Sequence, residues 1–133
     1  MRVLGVAALA IALAVLAVLG GVSVGSGARP SGADVAGFGT LIAVAGAGIV
    51  AAVHWPVLAG LRRRGVMLSP ARAAVLVGLG VNAPLYATLA VIGRDRSLFG
   101  ADEAALFALG FALIGLVFGA GYATIHRRSA AGG

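Results

Sequence analysis

The stretch 104–125, AALFALGFALIGLVFGAGYATI, decides the fold class of this chain. It contains no Arg, Asp or Glu, and as a helix rising about 1.5 Å per residue it would be about 33 Å long. The hydrocarbon core of a bilayer is about 30 Å thick. Because a backbone in lipid must satisfy its own hydrogen bonds, this run is expected to be a membrane-spanning α-helix.

Three further apolar runs of similar length precede it, approximately at 3–22, 36–59 and 71–92. The connections between the four runs are short, and helices joined by short connections pack as antiparallel neighbours. The sequence therefore predicts an all-α, polytopic membrane protein. Its expected architecture is an antiparallel four-helix transmembrane bundle with short loops, in one integral membrane domain that covers residues 1–133.

The composition agrees with this class and excludes several others. Hydrophobic residues make up 61% of the chain and charged residues 11%, with a mean hydropathy of +1.08, whereas a soluble domain is about 45–50% apolar and about 25% charged. With no Cys, disulfides, zinc thiolates and a cysteine nucleophile are excluded. His54 and His126 are the only histidines, and no span holds a cluster of His, Asp and Glu. We expect no cofactor, no metal site and no catalytic residue.

The distribution of charge predicts the orientation of the bundle. The chain carries ten Arg and no Lys, against four acidic residues, for a net charge of +6. Seven Arg fall at one end of the predicted spans, and three Arg fall at the other end with all four acidic residues, which splits the charge into +7 and −1. The positive-inside rule then places both termini in the cytoplasm of a multi-pass protein of the plasma membrane. The seven are Arg2, Arg62, Arg63, Arg64, Arg72, Arg127 and Arg128.

The first apolar run has a second interpretation. Met1-Arg2, the apolar run and the small residues Ser26-Gly27-Ala28 also resemble a cleavable signal peptide. The run is about 20 residues long, whereas the apolar region of a signal peptide has about 7–15 residues. An uncleaved span is the preferred interpretation, and cleavage would leave the topology of the later spans unchanged.

Small residues four apart predict where the helices pack closely. The fourth span contains Gly115-xxx-Gly119. Two interpretations stand for such ladders, packing within the bundle and association of two copies of the chain. The second span contains the ladder Gly39, Ala43, Ala47 and Ala51.

Prolines and a serine predict where helices begin and bend. Pro56 and Pro84 lie inside spans, and Pro84 leaves the Gly80 carbonyl without its helical donor, so we expect kinks there. The kink at Pro84 is either static or a moving hinge. Ser69-Pro70 is a helix-start signal, and the tail 126–133 is expected to be frayed.

Polar side chains at membrane depth are the candidate functional residues. Asn82 lies near the midplane and needs hydrogen-bond partners there; it either joins helices or lines a polar path. Tyr86 follows it by one helical turn. By depth, His54 and Tyr122 are expected to approach each other between the second and fourth spans. His54 is interpreted as a hydrogen-bonded histidine, with a titrating switch as the alternative.

The basic loop Arg62-Arg63-Arg64, with Arg72, is the densest charge in the chain. A loop this short offers no folded surface for nucleic acid. Attraction to anionic headgroups on the cytoplasmic side explains it better, since each basic residue near the surface contributes about 1 kcal/mol. The expected partners are the lipid bilayer, those headgroups, and further copies of the chain or a larger membrane complex.

In size and span count the chain is similar to small multidrug exporters and fluoride channels, and the similarity ends there. The first span holds no carboxylate of the kind such an exporter needs, and the charge bias is stronger than that of the fluoride channels. We therefore expect a non-catalytic integral membrane protein, an accessory or helix-packing subunit. The alternative is a small oligomeric channel or transporter that uses the polar groups around Asn82 and the Pro84 kink.

Overall fold

A computed structural model describes residues 2–27, 32–95 and 101–132, and these residues form four helical segments without any strand. The first helix is Arg2–Ser26, and the fourth is Ala101–Gly132. The second helix covers 32–63 and the third covers 70–95, and both alternate between α-helical and π-helical turns. The parts of the second are Gly32–Asp34 (α), Val35–Gly39 (π), Thr40–Ile49 (α), Val50–His54 (π) and Trp55–Arg63 (α). Those of the third are Pro70–Val75 (α), Leu76–Val81 (π) and Ala83–Asp95 (α), with Asn82 as a turn residue.

All four helices are long and apolar enough to cross a membrane, judged by length and composition. The qualifying spans are Arg2–Val24, Val35–Arg63, Pro70–Val91 and Ala104–Arg128. Their ends agree with the four predicted apolar runs to within four residues. The prediction of four bilayer-length helices in an all-helical chain is therefore confirmed for the described residues.

The helices extend beyond the apolar runs, however. The expectation that the tail is frayed from residue 126 is wrong. The fourth helix continues to Gly132, and the second continues through Arg63. Hydropathy marks where a helix leaves an apolar environment, whereas backbone hydrogen bonding continues as long as the residues favour a helix. Arg does favour helices, and in the second helix the cations of Arg62 and Arg63 lie in the last turn, where they also complement the helix dipole.

Both ends of the basic loop are capped. At the end of the second helix, Val66 N donates to Leu61 O and Gly65 N donates to Arg62 O, both at 3.0 Å, and Gly65 has a φ of 79°. This is a Schellman motif, which needs a left-handed residue. At the start of the third helix, the Ser69 Oγ accepts from Arg72 N at 3.2 Å and Pro70 is the first helical residue. The predicted helix start at Ser69-Pro70 is confirmed.

The fourth helix is the centre of the fold. It packs against each of the other three helices, and 44% of its span is buried, against 17–22% for the other spans. Against the first helix, Gly121 faces Val6 and Gly110 faces Val18. Gly110 also faces Ile42 of the second helix, so these helices meet at one glycine.

The fourth and third helices meet through small residues. A Cβ added at Gly115 would lie 2.6 Å from the Gly78 Cα, and one added at Gly119 would lie 2.6 Å from the Ala73 carbonyl oxygen. Both contacts are with backbone, which cannot move aside as a flexible side chain can. Gly115 and Gly119 are therefore used for close backbone packing inside this chain.

The predicted small-residue ladder of the second helix does not form a packed face, because Ala47 and Ala51 are exposed. The buried stripe is offset from the ladder by one residue. It follows the larger side chains, which fill more of the space between the helices. Its members are Ile42, Gly46, Val50, His54 and Leu58.

Candidate functional site

A buried polar cluster joins the second, third and fourth helices. His54 is 0% exposed and Asn82 is 2% exposed, so they are the least exposed polar side chains among the described residues. The His54 Nε2 lies 2.8 Å from the Asn82 Oδ1. The Asn82 Nδ2 donates to the Phe111 carbonyl oxygen at 3.2 Å. One amide thus connects a side chain of the second helix to the backbone of the fourth.

The hydrogen bonds of Asn82 determine which ring nitrogen of His54 carries the proton. Because the Nδ2 points to the Phe111 carbonyl, the Oδ1 is the atom that faces His54. An amide oxygen only accepts, so the Nε2 must be the donor and the Nδ1 is the unprotonated nitrogen of the neutral ring. The Nδ1 is enclosed and has no hydrogen-bond partner.

Tyr86 completes the cluster on the third helix. The Asn82 Nδ2 lies 3.4 Å from the Tyr86 hydroxyl, which itself donates to the Gly78 carbonyl oxygen. The break in the helix explains why that carbonyl is free, because the backbone N–H of Asn82 bonds to Gly80 instead of to Gly78, four residues earlier. The hydroxyl of Tyr86 therefore closes a gap that the break opens.

π-Helical turns place His54 and Asn82 opposite each other. His54 is the last residue of Val50–His54, and Asn82 directly follows Leu76–Val81. These two π segments contact each other, and each ends two or three residues before a proline, Pro56 or Pro84. The predicted kinks thus coincide with interruptions of the α-helical repeat. Proline is not required for a π segment in this chain, because none follows Val35–Gly39.

Tyr122 lies outside the hydrogen-bonded cluster. The Phe118 ring centroid is 6.4 Å from that of His54 and 5.9 Å from that of Tyr122, so one ring contacts both residues. Direct approach of His54 and Tyr122 stays a prediction. The hydrogen-bond partner of His54 is Asn82; the sequence pattern indicates that both residues are buried polar groups but does not predict that they pair.

Tyr122 belongs instead to a cleft at the arginine-rich end of the bundle. The cleft has a volume of about 490 Å³ and is lined by residues of the first, second and fourth helices. Of the basic loop, Arg62 and Arg63 line it, whereas Arg64 and Arg72 are exposed and lie outside it. The other lining residues are Val3, Trp55, Ala59, Tyr122 and His126.

Among the described residues, no three His, Cys, Asp or Glu side chains are grouped so that they could hold a metal ion. Arg29 and Arg96, which contribute to the charge of the other end, lie outside the described residues. Comparison of the chain with protein-family models, with curated proteins and with solved structures gives no match. Any functional inference therefore depends on the geometry of the chain itself.

Proposed function

We propose that the chain is a multi-pass integral membrane protein folded as an antiparallel four-helix bundle. Large apolar side chains on all four helices are exposed, for example Leu16 (66%), Val44 (68%), Val91 (65%) and Leu109 (46%). In water such surfaces would drive aggregation, whereas in lipid they are at no disadvantage. The order of the contacts supports antiparallel neighbours: Val6 faces Gly121, whereas the later residue Val18 faces the earlier residue Gly110.

The proposed location is the plasma membrane, with both termini in the cytoplasm. Seven of the ten Arg fall at the end of the bundle that holds the basic loop, and the four acidic residues fall towards the other end. The positive-inside rule supports this orientation. The exposed positions of Arg62, Arg63, Arg64 and Arg72 suit attraction to anionic headgroups of the cytoplasmic leaflet.

Within the membrane, the proposed role is that of a non-catalytic, helix-packing subunit. The observation that carries this proposal is the closed hydrogen bonding of Asn82, whose polar atoms are used by His54, Tyr86 and the Phe111 carbonyl. A group that served a polar path would need free polar atoms facing water, and Asn82 is buried against protein on both sides. The exposed face of the second helix, including Ala47 and Ala51, is available for another membrane protein or a second copy.

One observation favours the alternative of a small oligomeric channel or transporter. The two helices that are interrupted before prolines meet at the polar cluster, and interrupted helices with π turns are frequent at functional sites. Opening at this point would expose Asn82, Tyr86 and His54 together.

Flux through proteoliposomes distinguishes the two roles. The purified chain is reconstituted into vesicles, and the leak of K⁺, Cl⁻ and H⁺ is compared with that of protein-free vesicles. A packing subunit gives no flux above the lipid background. Flux that the variant Asn82→Leu removes would overturn the proposed role in favour of the channel. Purification from native membranes in mild detergent then identifies whether a stoichiometric partner subunit is present.

A further inference from the structure

We propose that the cleft at the arginine-rich end is a specific site for the phosphate headgroup of an anionic phospholipid. The inference rests on the proposed membrane insertion and goes beyond it, because diffuse attraction of Arg side chains to headgroups requires no cleft. The cleft volume of about 490 Å³ lies within the range of ligand sites, about 300–1,000 Å³.

The polar side chains that line the cleft are hydrogen-bond donors. Arg62 and Arg63 supply two guanidinium groups, and Trp55, Tyr122 and His126 supply an indole N–H, a hydroxyl and an imidazole. Among the side chains that the structure describes, none that lines the cleft is acidic. A phosphate group presents only acceptor oxygens and a negative charge, and Arg binds it through two parallel N–H···O bonds. The chemistry of the walls is therefore complementary to a phosphate.

These donors are also free to bind. Within the part of the chain that the structure describes, none of these five side chains forms a hydrogen bond or an ion pair. Among the described residues, the His54 Nδ1 is the one enclosed side-chain nitrogen or oxygen without a hydrogen-bond partner. The hydroxyl of Tyr122 and the indole N–H of Trp55 also have no partner among these residues, but they are not enclosed in this way. They are therefore accessible from outside, although Tyr122 as a whole is only 5% exposed.

The surroundings of the cleft favour a lipid over a free phosphate ion. Val3 and Ala59 line it beside the charged groups, and Leu4 of the first helix is 56% exposed at the same end. An acyl chain would cover these apolar side chains, whereas a soluble ion would leave them bare. The Tyr122 and His126 rings, whose centroids are 4.3 Å apart, both line the cleft from the fourth helix.

The test uses the full chain in detergent, titrated with phosphatidylglycerol or with phosphatidylcholine. Native mass spectrometry counts the retained lipids, and the emission of Trp55 reports on the cleft itself, since the chain has one Trp. The cleft variant is Arg62→Gln with Arg63→Gln. The matched control is Arg64→Gln with Arg72→Gln, which removes the same charge from the same end of the bundle at positions that do not line the cleft.

We expect phosphatidylglycerol, but not phosphatidylcholine, to change the Trp55 emission. The cleft variant should weaken that binding by about tenfold or more relative to the control variant, because it removes two guanidinium groups that would donate charge-assisted hydrogen bonds to the phosphate. All four side chains are exposed, so both variants should keep the wild-type helical circular dichroism spectrum.

Other outcomes overturn the inference. Equal weakening by the two variants means that only the overall charge of the loop matters. Displacement of phosphatidylglycerol by inorganic phosphate alone would assign the cleft to a soluble ion instead of a lipid. Failure of membrane insertion is recognised separately: a chain that alkaline carbonate extracts from native membranes contradicts the proposed function itself, whichever ligand the cleft binds.

Discussion

At the scale of single residues, the fold contains one buried side-chain amide, that of Asn82, whose oxygen and nitrogen both take part in hydrogen bonds within the bundle. Asn82 connects three helices through His54, Tyr86 and the Phe111 carbonyl. Two threonine hydroxyls inside the spans bond to their own helix: Thr88 Oγ1 donates to the Pro84 carbonyl at 2.9 Å and Thr124 Oγ1 donates to the Ala120 carbonyl at 2.8 Å. A hydroxyl bonded to its own helix adds nothing to packing between helices. Among the described side chains, Asn82 is therefore the polar group whose hydrogen bonds join three helices.

We predict that His54 and Asn82 are energetically coupled. The variant Asn82→Leu leaves the His54 Nε2–H enclosed without an acceptor, which costs about 1–3 kcal/mol. The variant His54→Phe leaves the Asn82 Oδ1 without its donor and should cost a similar amount. The double variant should cost less than the sum by about 0.6 kcal/mol, the average found for hydrogen bonds between membrane helices, and by no more than about 1.7 kcal/mol, the maximum found.

The measurement is a double-mutant cycle of unfolding free energies in mixed detergent micelles. Thr88→Val serves as the control, because it removes a hydrogen bond within one helix on an exposed surface and should not couple to His54. Strict additivity of the His54 and Asn82 substitutions would show that their hydrogen bond contributes nothing to stability.

The sequence identifies both residues of this pair but not their pairing, and the reason is geometric. Depth counted from the ends of the apolar runs places His54 five residues from the inner end and Asn82 eleven residues from it, about 9 Å apart in height. The second helix in fact continues to Arg63, so His54 lies nine residues from the helix end. Counted from Pro70, Asn82 lies twelve residues in, and the difference falls to about 4.5 Å. Height alone still does not select Asn82, because Tyr122 lies ten residues from the end of the fourth helix at Gly132 and so within about 1.5 Å of His54 in height. The faces that the helices turn towards each other select Asn82, and those faces depend on packing between helices.

At the scale of elements, glycines determine how closely the third and fourth helices approach. Gly78 and Gly115 face each other with backbone against backbone, and a Cβ on Gly78 would itself meet Leu116 at 2.8 Å. Without side chains between them, the two helices gain dispersion contacts along their length, and these are a main source of helix association in lipid.

We predict that Gly115→Ala destabilises the bundle by about 1–3 kcal/mol, the usual cost of forcing extra atoms into a packed interior. The added methyl would lie 2.6 Å from the Gly78 Cα, so the helices must separate. The matched control is Gly48→Ala in the second helix, where a Cβ has nothing within 4 Å. That variant should be unchanged or slightly more stable, because Ala favours a helix over Gly.

Thermal unfolding in detergent compares the two variants at equal protein concentration. A dilution series separates packing within the chain from association of two copies. If the effect of Gly115→Ala were lost on dilution, the glycine would act between chains, contrary to the contacts with Gly78.

The elements differ in how far their sequence predicts them. Four spans and the start at Ser69-Pro70 follow from hydropathy and capping, because those signals are local. The π turns do not, since Val50–His54 and Val35–Gly39 have no composition that distinguishes them from α-helical turns. The buried face of the second helix also depends on its neighbours: Ile42 and Gly46 pack on the fourth helix, whereas Ala47 is exposed.

At the scale of the whole molecule, the fourth helix organises the bundle while the ends separate the charge. Burial of the central helix at 44% of its span leaves the other helices with large outward faces that are apolar. The two ends of such a molecule differ in charge, whereas its apolar middle favours neither of the two orientations. If the chain is the membrane protein proposed above, the positive-inside rule makes the Arg residues at one end the determinant of its orientation.

We predict that residues between the second and third helices face the cytoplasm and residues between the first and second face the outside. Because the chain has no cysteine, a single introduced cysteine reports one position. Met67→Cys lies in the basic loop at a side chain that is 62% exposed, and Ala33→Cys lies at an exposed position before the second span. In intact cells, a membrane-impermeant maleimide should label Ala33→Cys and leave Met67→Cys unlabelled, because the +7 end stays inside. Both variants should be labelled after lysis, which shows that each thiol is reactive. Labelling of Met67→Cys in intact cells would reverse the orientation, and partial labelling of both would mean that the split between +7 and −1 does not orient the bundle.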